Sequence, residues 1–588
     1  MAEEIIQPIL SKPGIKRDGT MFEGDAHVDG QWVRWQRGLA RKIGGYRSID
    51  KYLRGIPRAL HAFAQDAYTF IHAGSAERLE ACFMDTSYSV SIVSDRTPAS
   101  LTADANNLWQ FDTDTSAASP GTNLVAHVAP NLDLTNAAGG QLFYGVVTGT
   151  TALTETVTFP AGASLTGGMV ALHPYTVVFG NDGYVMWSDD FTDFTVAGAG
   201  AANVTGQKIV KGVPLRGGPG SSPSGLLWSL DSLIRMTYIG GTPVFQFDTI
   251  SADISILSTS GVVEYDGIYY WPGTDRFLSF NGVVQEVPNG LNLNFFYDNI
   301  NMAYRQKAFA FKVPRFGEIW WCFPFGDATE PNWAVIYNVR ENTWYDTPLP
   351  EDGRGAGVWP SVLGKPLLTG VQPQNYVAVA ATPTAGGAGY AVGNVLTVVG
   401  GARTVPVQLT VATVAAGAVT GVTISAAGAY TSIPASPASV TGGAGAGATF
   451  TLTFDQPYKL WVHEVGTDAV DGTDVDPILS YFETADIALP TTQGITNWLH
   501  IDYIEPDFVQ SGEMTVQVHG RANARSPEIE GPVMAFPAVA TTPDEQVVFL
   551  KEQRRQLRFR FSSETLGGDY QQGLCLGHFR KSDGTVLG

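Results

Sequence analysis

Short hydrophobic runs that end in tight turns recur along this chain, and they constrain its fold more than any other feature. Each run is rich in Val, Ile, Tyr, Phe and Trp and is bounded by Gly, Asn-Gly or Asp-Gly, which is typical of antiparallel strands joined by hairpins. Clear examples lie at residues 175–190, 261–287 and 317–346. Windows with helical periodicity are scarce. The pattern therefore predicts an all-β protein.

The repeated unit favours a β-propeller, in which four-stranded blades repeat around an axis. Each unit contains a strand, a tight turn, a second strand with Trp or Tyr, and a polar loop. We expect residues 58–370 to form this body and residues 1–57 to form an N-terminal arm and the first strands. The segment near 101–164, rich in Thr, Ala, Asp and Asn, is expected to be a polar insertion of loops outside the core.

The composition changes sharply at residues 371–456, where Gly, Ala, Thr and Val dominate and Trp is absent. AGGAGYAVGNVLTVVGG at 385–401 is echoed by SAAGAYTSIPASPASVTGG at 425–443, with Tyr390 and Tyr430 after similar Gly/Ala runs. We interpret this segment as a small all-β insert domain of two similar halves. A flexible, disordered insert is the alternative.

Residues 457–588 return to the strand pattern and are expected to form a β-sandwich-like segment that completes the body or forms a platform. Clean alternation in RRQLRFRFSSE predicts a strand with one buried face. Within it, Leu557, Phe559 and Phe561 should point inward, while Arg558 and Arg560 should point to solvent.

The charge balance argues against a protein that grips nucleic acid. The 588 residues include 36 Lys and Arg against 56 Asp and Glu, a formal net charge of −20, whereas a nucleic-acid clamp needs a basic footprint. The three cysteines, Cys82, Cys322 and Cys575, are far apart and odd in number, which favours a reducing compartment. No secretory signal or membrane segment is expected, so we expect synthesis in the cytoplasm.

Several motifs that could bind a cofactor or a metal are incomplete. The glycine-rich stretch 214–225 lacks the Gly-Lys-Ser/Thr ending of a phosphate-binding loop. Asp468, Asp471, Asp474 and Asp476 could hold calcium, but a solvated hairpin tip is the favoured interpretation. His463-Glu464 is half of a zinc motif without the second histidine. We therefore expect no cofactor and no metal.

We also expect no enzymatic activity. The nine histidines belong to no recognisable catalytic set. Asp266, Asp275 and Glu318 lie near aromatic residues and could serve as glycosidase carboxylates, although structural roles at turns are favoured. Cys322, inside an aromatic strand, is expected to act as a small buried hydrophobic residue.

The most basic segment, Val28–Ile49, is the candidate partner-docking site. Aromatic residues lie among its cations, which are Arg34, Arg37, Arg41, Lys42 and Arg47. One interpretation is an arm that docks on an acidic neighbour, or on nucleic acid by aromatic stacking. The other is a first strand pair with solvated arginines.

Long stretches of the sequence resemble the tail nozzle, or tail tubular, proteins of short-tailed (podovirus-type) bacteriophages, which are related in architecture to packaged-DNA stabilisation proteins. The resemblance lies in VRWQRGLARKIGGYRSI at 33–49 and in the strand units at 213–236, 261–289 and 309–350. It covers about residues 29–52 and 173–350 and continues more weakly after Tyr458. The Gly-rich insert departs from a minimal nozzle and is similar to decoration modules of virion proteins.

The resemblance implies a structural protein of the virion tail. Such proteins form a homo-oligomeric, six-fold ring below the portal and the head-tail adaptor, and tail fibres or spikes attach nearby. The ring extends the DNA channel, retains the packaged genome and opens for ejection, while duplex DNA passes without sequence-specific binding. A receptor-binding or carbohydrate-binding tail module is the alternative function, motivated by the low-charge surface of the insert.

Overall fold

The computed structural model of the chain describes residues 4–20, 23–66, 68–115, 121–133, 138–156, 159–189, 193–215, 223–241, 243–488, 497–523 and 525–582. These residues are almost entirely β-strands, which confirms the all-β prediction. The helical elements are short: α1 (Leu293–Asn299) and single 3-10 turns at Asn181–Gly183, Met302–Lys307, Pro350–Asp352 and Pro543–Gln546. Within the described ranges, no helix has the length and apolarity needed to cross a membrane.

The chain divides into two units. The first comprises Met1–Asp50, Arg58–Leu368 and Trp461–Gly588, and the second comprises Lys51–Pro57 and Thr369–Leu460. The chain begins with seven short strands: β1 (Glu4–Pro8), β2 (Lys12–Ile15), β3 (Ala26–His27), β4 (Asp29–Gln31), β5 (Val33–Gln36), β6 (Leu39–Lys42) and β7 (Tyr46–Arg54).

The next 24 strands form six antiparallel sheets, each made of four consecutive strands in chain order. The first three sheets contain β8 (Ala59–Gln65), β9 (Tyr68–Gly74), β10 (Leu79–Met84), β11 (Val90–Asp95); β12 (Leu108–Thr115), β13 (Thr122–Ala129), β14 (Gln141–Val146), β15 (Thr154–Thr156); and β16 (Gly168–Leu172), β17 (Tyr175–Phe179), β18 (Tyr184–Trp187), β19 (Gly200–Asn203). The other three contain β20 (Ile209–Pro214), β21 (Ser224–Ser229), β22 (Ser232–Tyr238), β23 (Phe245–Ala252); β24 (Val263–Tyr265), β25 (Ile268–Pro272), β26 (Phe277–Phe280), β27 (Val284–Glu286); and β28 (Phe309–Val313), β29 (Glu318–Phe323), β30 (Trp333–Asn338), β31 (Thr343–Pro348).

Large aromatic side chains fill the space between neighbouring sheets, which explains the aromatic bursts of the sequence. Trp228 of the fourth sheet meets Trp271 of the fifth edge to face, with ring centroids 5.4 Å apart. Phe277 of the fifth sheet packs on Trp321 of the sixth at 5.1 Å. Both Trp228 and Trp271 are fully buried. Packed sheets leave a thick gap that such rings fill better than aliphatic side chains do.

The expectation that residues near 101–164 form loops outside the core is wrong. Strands β12 to β15 form the second four-stranded sheet there, and Leu124, Val125 and Ala126 are fully buried. The polar composition wrongly indicated loops because polar side chains can be buried in this sheet when they are hydrogen-bonded. His127, for example, bonds the Leu165 carbonyl at 2.6 Å, so polarity alone does not indicate a loop.

Two strands, β32 (Arg354–Val358) and β33 (Leu367–Gly370), lead towards the insert. The insert contains β34 (Val377–Ala388), β35 (Val395–Val398), β36 (Ala402–Val405), β37 (Gln408–Ala415), β38 (Ala418–Ala426), β39 (Ala429–Ser432), β40 (Ala438–Thr441) and β41 (Ala446–Asp455). Six of them form one sheet in the order β34-β41-β40-β35-β37-β38, and β36 pairs with β39. Tyr390 and Tyr430, from the two similar halves, are both buried in one hydrophobic core. The segment is therefore ordered.

The C-terminal part interleaves with the N-terminal strands. Its strands are β42 (Pro457–His463), β43 (Ala469–Asp471), β44 (Asp474–Asp476), β45 (Ser480–Glu483), β46 (Trp498–Glu505), β47 (Phe508–Ser511), β48 (Met514–Arg521), β49 (Ile529–Phe536), β50 (Val548–Arg554), β51 (Gln556–Ser563), β52 (Asp569–Gln572) and β53 (Leu576–Ser582). The strands from β45 to β53 contribute to sheets ordered β1-β53-β46-β50, β4-β45-β51-β48-β49 and β47-β52-β6-β5. Each sheet thus combines strands from both ends of the chain.

One continuous core joins these sheets to the sixth four-stranded sheet. It includes Trp32 and Trp35 from the N-terminal segment, Trp320 from β29, and Phe559 and Phe561 from β51. The prediction that the Leu557, Phe559 and Phe561 side chains are buried is confirmed, because all three are fully buried. The first 50 residues are therefore built into the body of the first unit.

Candidate partner-docking surface

The predicted docking cations separate into buried and exposed groups. Strands β5 and β6 form an antiparallel pair in which Arg34 lies opposite Arg41. Arg34 and Lys42 are 1% and 2% exposed, so their side chains lie inside the protein and offer no surface to a partner in this conformation. Arg37 and Arg47 are exposed, and Arg41 is half-buried. The strand-pair interpretation holds for the backbone, but the arginines are not uniformly solvated.

Arg34 is buried because two carboxylates compensate its charge. It makes an ion pair with Glu318 at 2.9 Å and binds Glu464 through Nη1 at 3.0 Å. Burial by itself lowers the pKa of Arg34, but these two carboxylates together raise it above its ordinary value. A buried guanidinium is tolerated when its partners satisfy it in this way. Arg34 is thus a structural residue.

Glu318 receives further hydrogen bonds from the sixth sheet. Tyr345 Oη donates to its Oε1 at 2.6 Å, and Trp320 Nε1 donates to its Oε2 at 2.9 Å. Burial raises the pKa of Glu318, while Arg34 and the two donors oppose that rise. This carboxylate, named above as a possible glycosidase acid, is fully buried. Its geometry instead fixes β5 to the sixth sheet.

Above this network, four arginines form the surface that we call the arginine surface: Arg37, Arg41, Arg315 and Arg340. Arg37, Arg315 and Arg340 come from the β5–β6, β28–β29 and β30–β31 turns, and Arg41 comes from strand β6. The guanidinium carbons of Arg41 and Arg315 lie 5.6 Å and 5.1 Å from the centre of the Phe316 ring. Cations over an aromatic face are attracted by its quadrupole. Phe316 therefore holds this part of the surface together.

Hydrogen bonds to the backbone fix the three turns against each other. Arg340 donates to the carbonyls of Arg315 at 2.8 Å and Pro314 at 2.7 Å. Glu341 accepts from the backbone amides of Arg37 at 2.8 Å and Gly38 at 3.0 Å. The carboxylate of Glu341 thus stabilises the turn that carries Arg37. Arg37 adopts a left-handed φ of 56° in this turn. The surface is preorganised before any partner arrives.

The arginine surface is unusual because ion pairs with the described residues do not compensate its charges. Among the described residues, none of the four guanidinium groups makes an ion pair with a carboxylate. The chain as a whole has 20 more acidic than basic side chains. Four uncompensated arginines on such a chain favour an anionic partner. Arg315 and Arg340 escaped notice in the sequence because only the fold brings them to the β5–β6 turn.

Arg47 lies elsewhere, beside an acidic hairpin. Its backbone pairs with Val470 of β43, and β43 and β44 form an antiparallel hairpin over Ala469–Asp476. All three residues of β44, Asp474, Val475 and Asp476, are exposed. This is the aspartate cluster noted in the sequence, and the structure makes it a hairpin. The five predicted docking cations therefore do not form one site.

The remaining candidate residues belong to different elements of the fold. Asp266 occupies the tight turn between β24 and β25 with a left-handed φ of 51°. His463 is buried and bonds Arg354 Nε at 3.1 Å through its Nε2. Burial lowers the pKa of His463 well below its ordinary value, and Arg354 lowers it further. Cys322 is fully buried, as predicted, and all three cysteines are free thiols.

One further cluster of possible metal ligands was missed in the sequence. Glu483, His519 and Glu528 each offer one ligand atom within 4.8 Å of the others. Arg558 also lies there, with its Nε 3.0 Å from Glu483, and it is 3% exposed. The prediction that Arg558 points to solvent is therefore wrong. Its cation already supplies the positive charge that a metal would bring, so the cluster works as an ion-pair network.

Comparison with known proteins identifies no relative: no family matches the chain, and no curated protein is similar to it.

Proposed function

We propose that the chain is a structural, non-enzymatic component of the tail of a short-tailed bacteriophage, located in the virion, with a body that is a six-bladed β-propeller. The observation that carries the proposal is the arrangement of the six four-stranded sheets. Their first strands contact one another in chain order, β8 with β12, β12 with β16, and β16 with β20, and β32 contacts both β28 and β8. Radial repetition of four-stranded sheets around shared first strands supports a propeller.

A cavity lined by these first strands is consistent with a propeller axis. It measures about 160 Å³ and is lined by side chains that include Leu60 of β8, Gln110 of β12, Lys211 of β20 and Phe309 of β28. A second cavity shares Arg58 with it. A third is lined by residues farther along β8 and β28, such as Ala62 and Lys312. Cavities at successive positions along β8 and β28 are consistent with one axial channel.

The size of this axial cavity bears on how DNA would pass. A cavity of about 160 Å³ is far too small to admit a duplex. A DNA channel must therefore form between copies of the chain, as in a closed ring with head-to-tail contacts. The net charge of −20 suits the wall of such a channel, because it repels phosphates and lets the duplex slide.

Ion pairs between distant parts of the chain suit a subunit that must hold its shape around DNA. Arg17 near the N-terminus binds Asp346 of β31 at 3.0 Å, and Arg34 binds Glu318 of β29. The C-terminal sheets, which we propose to be sandwich-like, share one core with the sixth sheet. The portal, the adaptor and tail fibres or spikes remain the partners that the sequence resemblance implies.

The receptor-binding or carbohydrate-binding alternative is supported by the insert surface alone. Val392, Val405 and Ile433 are 49–63% exposed there, and exposed apolar side chains can mark a binding site. Glycan sites commonly stack sugars on aromatic rings, but Tyr390, Tyr430 and Phe450 of the insert are buried in its core. The insert therefore favours this alternative less than its sequence suggests.

The proposal is tested by the stoichiometry of the purified full-length chain. Mass photometry over a series of concentrations, with negative-stain electron microscopy, should show closed rings with six times the mass of one chain. A protein that stays single-copy and binds polysaccharides would contradict the proposal and favour the carbohydrate-binding alternative. Open filaments would also contradict it, because they enclose no channel.

A further inference from the structure

We infer that the arginine surface of one copy binds the acidic β43–β44 hairpin of a second copy, head to tail. This inference rests on the proposed ring and names the contact that builds it. The arginine surface offers four guanidinium groups, from Arg37, Arg41, Arg315 and Arg340, none of which makes an ion pair among the described residues. A partner that matches this surface must be anionic and must project as a narrow element.

The β43–β44 hairpin has the complementary chemistry. Asp474 and Asp476 flank Val475 on β44, whose side chain is 46% exposed. Within the described residues, neither Asp474 nor Asp476 makes an ion pair. β44 pairs only with β43 among the described strands, so one of its edges is open. A short acidic edge strand with an exposed valine matches a surface of arginines around the Phe316 ring.

Within one copy, no ion pair joins the arginine surface to the hairpin among the described residues. The β5–β6 turn carries Arg37, whereas β43 pairs with Tyr46 and Arg47, which follow strand β6 and residues 43–45. Backbone hydrogen bonds hold both ends of this stretch, from Arg37 to Glu341 and from Gly45 to Gly466 at 2.9 Å. The charges therefore go uncompensated within a copy and can meet between copies. Different patches on each side make the contact heterologous, as a ring requires.

A second copy fits better than duplex DNA as the partner. DNA carries one charge per 1.7 Å of axis, so a bound duplex would extend past four arginines onto a surface that carries the acidic excess of the chain. A hairpin is short enough to end within the arginine surface, so the acidic surroundings do not repel it. The contact is electrostatic and should weaken as salt rises towards the range where the Debye length is about 3 Å.

The test is a charge swap, read by mass photometry at concentrations where the wild-type chain assembles. We expect Arg37→Glu/Arg315→Glu to raise the concentration needed for assembly on the order of tenfold or more, because like charges then face each other. Asp474→Lys/Asp476→Lys should do the same. The combined four-residue variant should recover assembly to within about threefold of wild type. Arg403→Glu/Arg525→Glu is the matched control and should assemble normally, because it reverses two exposed arginines outside the surface that make no ion pair among the described residues.

Several outcomes would overturn the inference. They are normal assembly of either two-residue variant, no recovery in the combined variant, or a wild type that never assembles. Loss of binding to a 20-base-pair duplex by Arg37→Glu/Arg315→Glu, with assembly intact, would assign the surface to nucleic acid instead. Circular dichroism verifies that each variant is folded. Closed rings that form equally well in the charge-swap variants would refute the contact but not the proposed function. Assembly that depends on these charges but gives no closed rings would refute the proposed function but not the contact.

Discussion

At the residue scale, the Glu318 carboxylate is the group whose loss the fold should tolerate least. It is fully buried and compensates Arg34, which is itself 1% exposed. We predict that Glu318→Gln, which keeps the size but removes the charge, lowers the free energy of unfolding by about 3–5 kcal/mol, because it leaves a buried cation under-compensated. Urea unfolding measures this change. Glu341→Gln at the surface should cost less than about 1 kcal/mol, and equal effects of the two substitutions would contradict the account.

Whether the role of a residue could be predicted from the sequence depends on how far along the chain its interaction partner lies. Burial of Phe559 follows from local alternation and that of Cys322 from its place in an aromatic strand, and both were correctly predicted. The inward position of Arg34 was not, because Glu318 lies 284 residues away. Arg558 was missed for the same reason, since its partner Glu483 is 75 residues away. Period-two patterning identifies the face of an apolar residue but not the compensation of a charged one.

At the element scale, the N-terminal strand β1 depends on a protonated histidine. His578 Nδ1 lies 2.8 Å from Glu4 of β1, and its Nε2 lies 2.7 Å from Glu505 of β46. Both nitrogens can donate only in the imidazolium form. Burial lowers the pKa of His578, but the hydrogen bonds from its ring to Glu4 and Glu505 raise it overall. Because the folded pKa exceeds the unfolded value of about 6.5, this stabilisation is complete below pH 6.5 and is lost as pH rises through the folded pKa.

We therefore predict that the amides of residues 4–8 exchange faster at pH 8.5 than at pH 6, after correction for the intrinsic pH dependence. Hydrogen–deuterium exchange of the full chain measures this. His578→Gln should remove the difference between the two pH values. A difference that persists in His578→Gln would show that another group controls β1.

The geometry at the ends of the insert allows a deletion to be designed. Val377 and Asp455 are paired neighbours at its two ends, so a two-residue Asn-Gly turn can replace residues 378–454. We predict that the shortened chain stays folded, with the unfolding free energy of the first unit changed by less than about 1 kcal/mol. Circular dichroism and urea unfolding measure this. Aggregation, or a much lower unfolding midpoint, would show that the insert is needed for folding.

Prediction at the element scale succeeded for strands and failed for their grouping. The Asp266-Gly267 turn and the aromatic strands were clear from residue type, and the all-β character followed from them. The number of four-stranded sheets could not be counted, because the loops between strands vary in length. The second sheet was missed because buried Asn and His side chains made its sequence resemble a loop.

At the scale of the whole molecule, buried histidines limit stability in acid. His27 and His127 are buried and His61 is half-buried, and desolvation lowers the pKa of each to about 4. The folded pKa lies below the unfolded value of about 6.5, so the unfolded chain binds more protons between these values and stability falls as pH falls through that window. Each histidine costs about 1.4 kcal/mol per pH unit there.

We predict that His127→Gln, which cannot take up a proton, gains about 2 kcal/mol relative to wild type when the pH falls from 7 to 5. Urea unfolding of both proteins at the two pH values isolates this single group from the other titrations. A stability difference between the two proteins that does not change with pH would contradict the burial of a neutral imidazole at this position.

The central claim is that copies of this chain close into a ring around a DNA-sized channel. Cryo-electron microscopy of the purified full-length chain tests it most directly. The account predicts a closed six-fold ring with a channel between subunits, and with Arg315 of each copy facing the β43–β44 hairpin of the next. A monomer at every concentration, or a ring too narrow for duplex DNA, would contradict it.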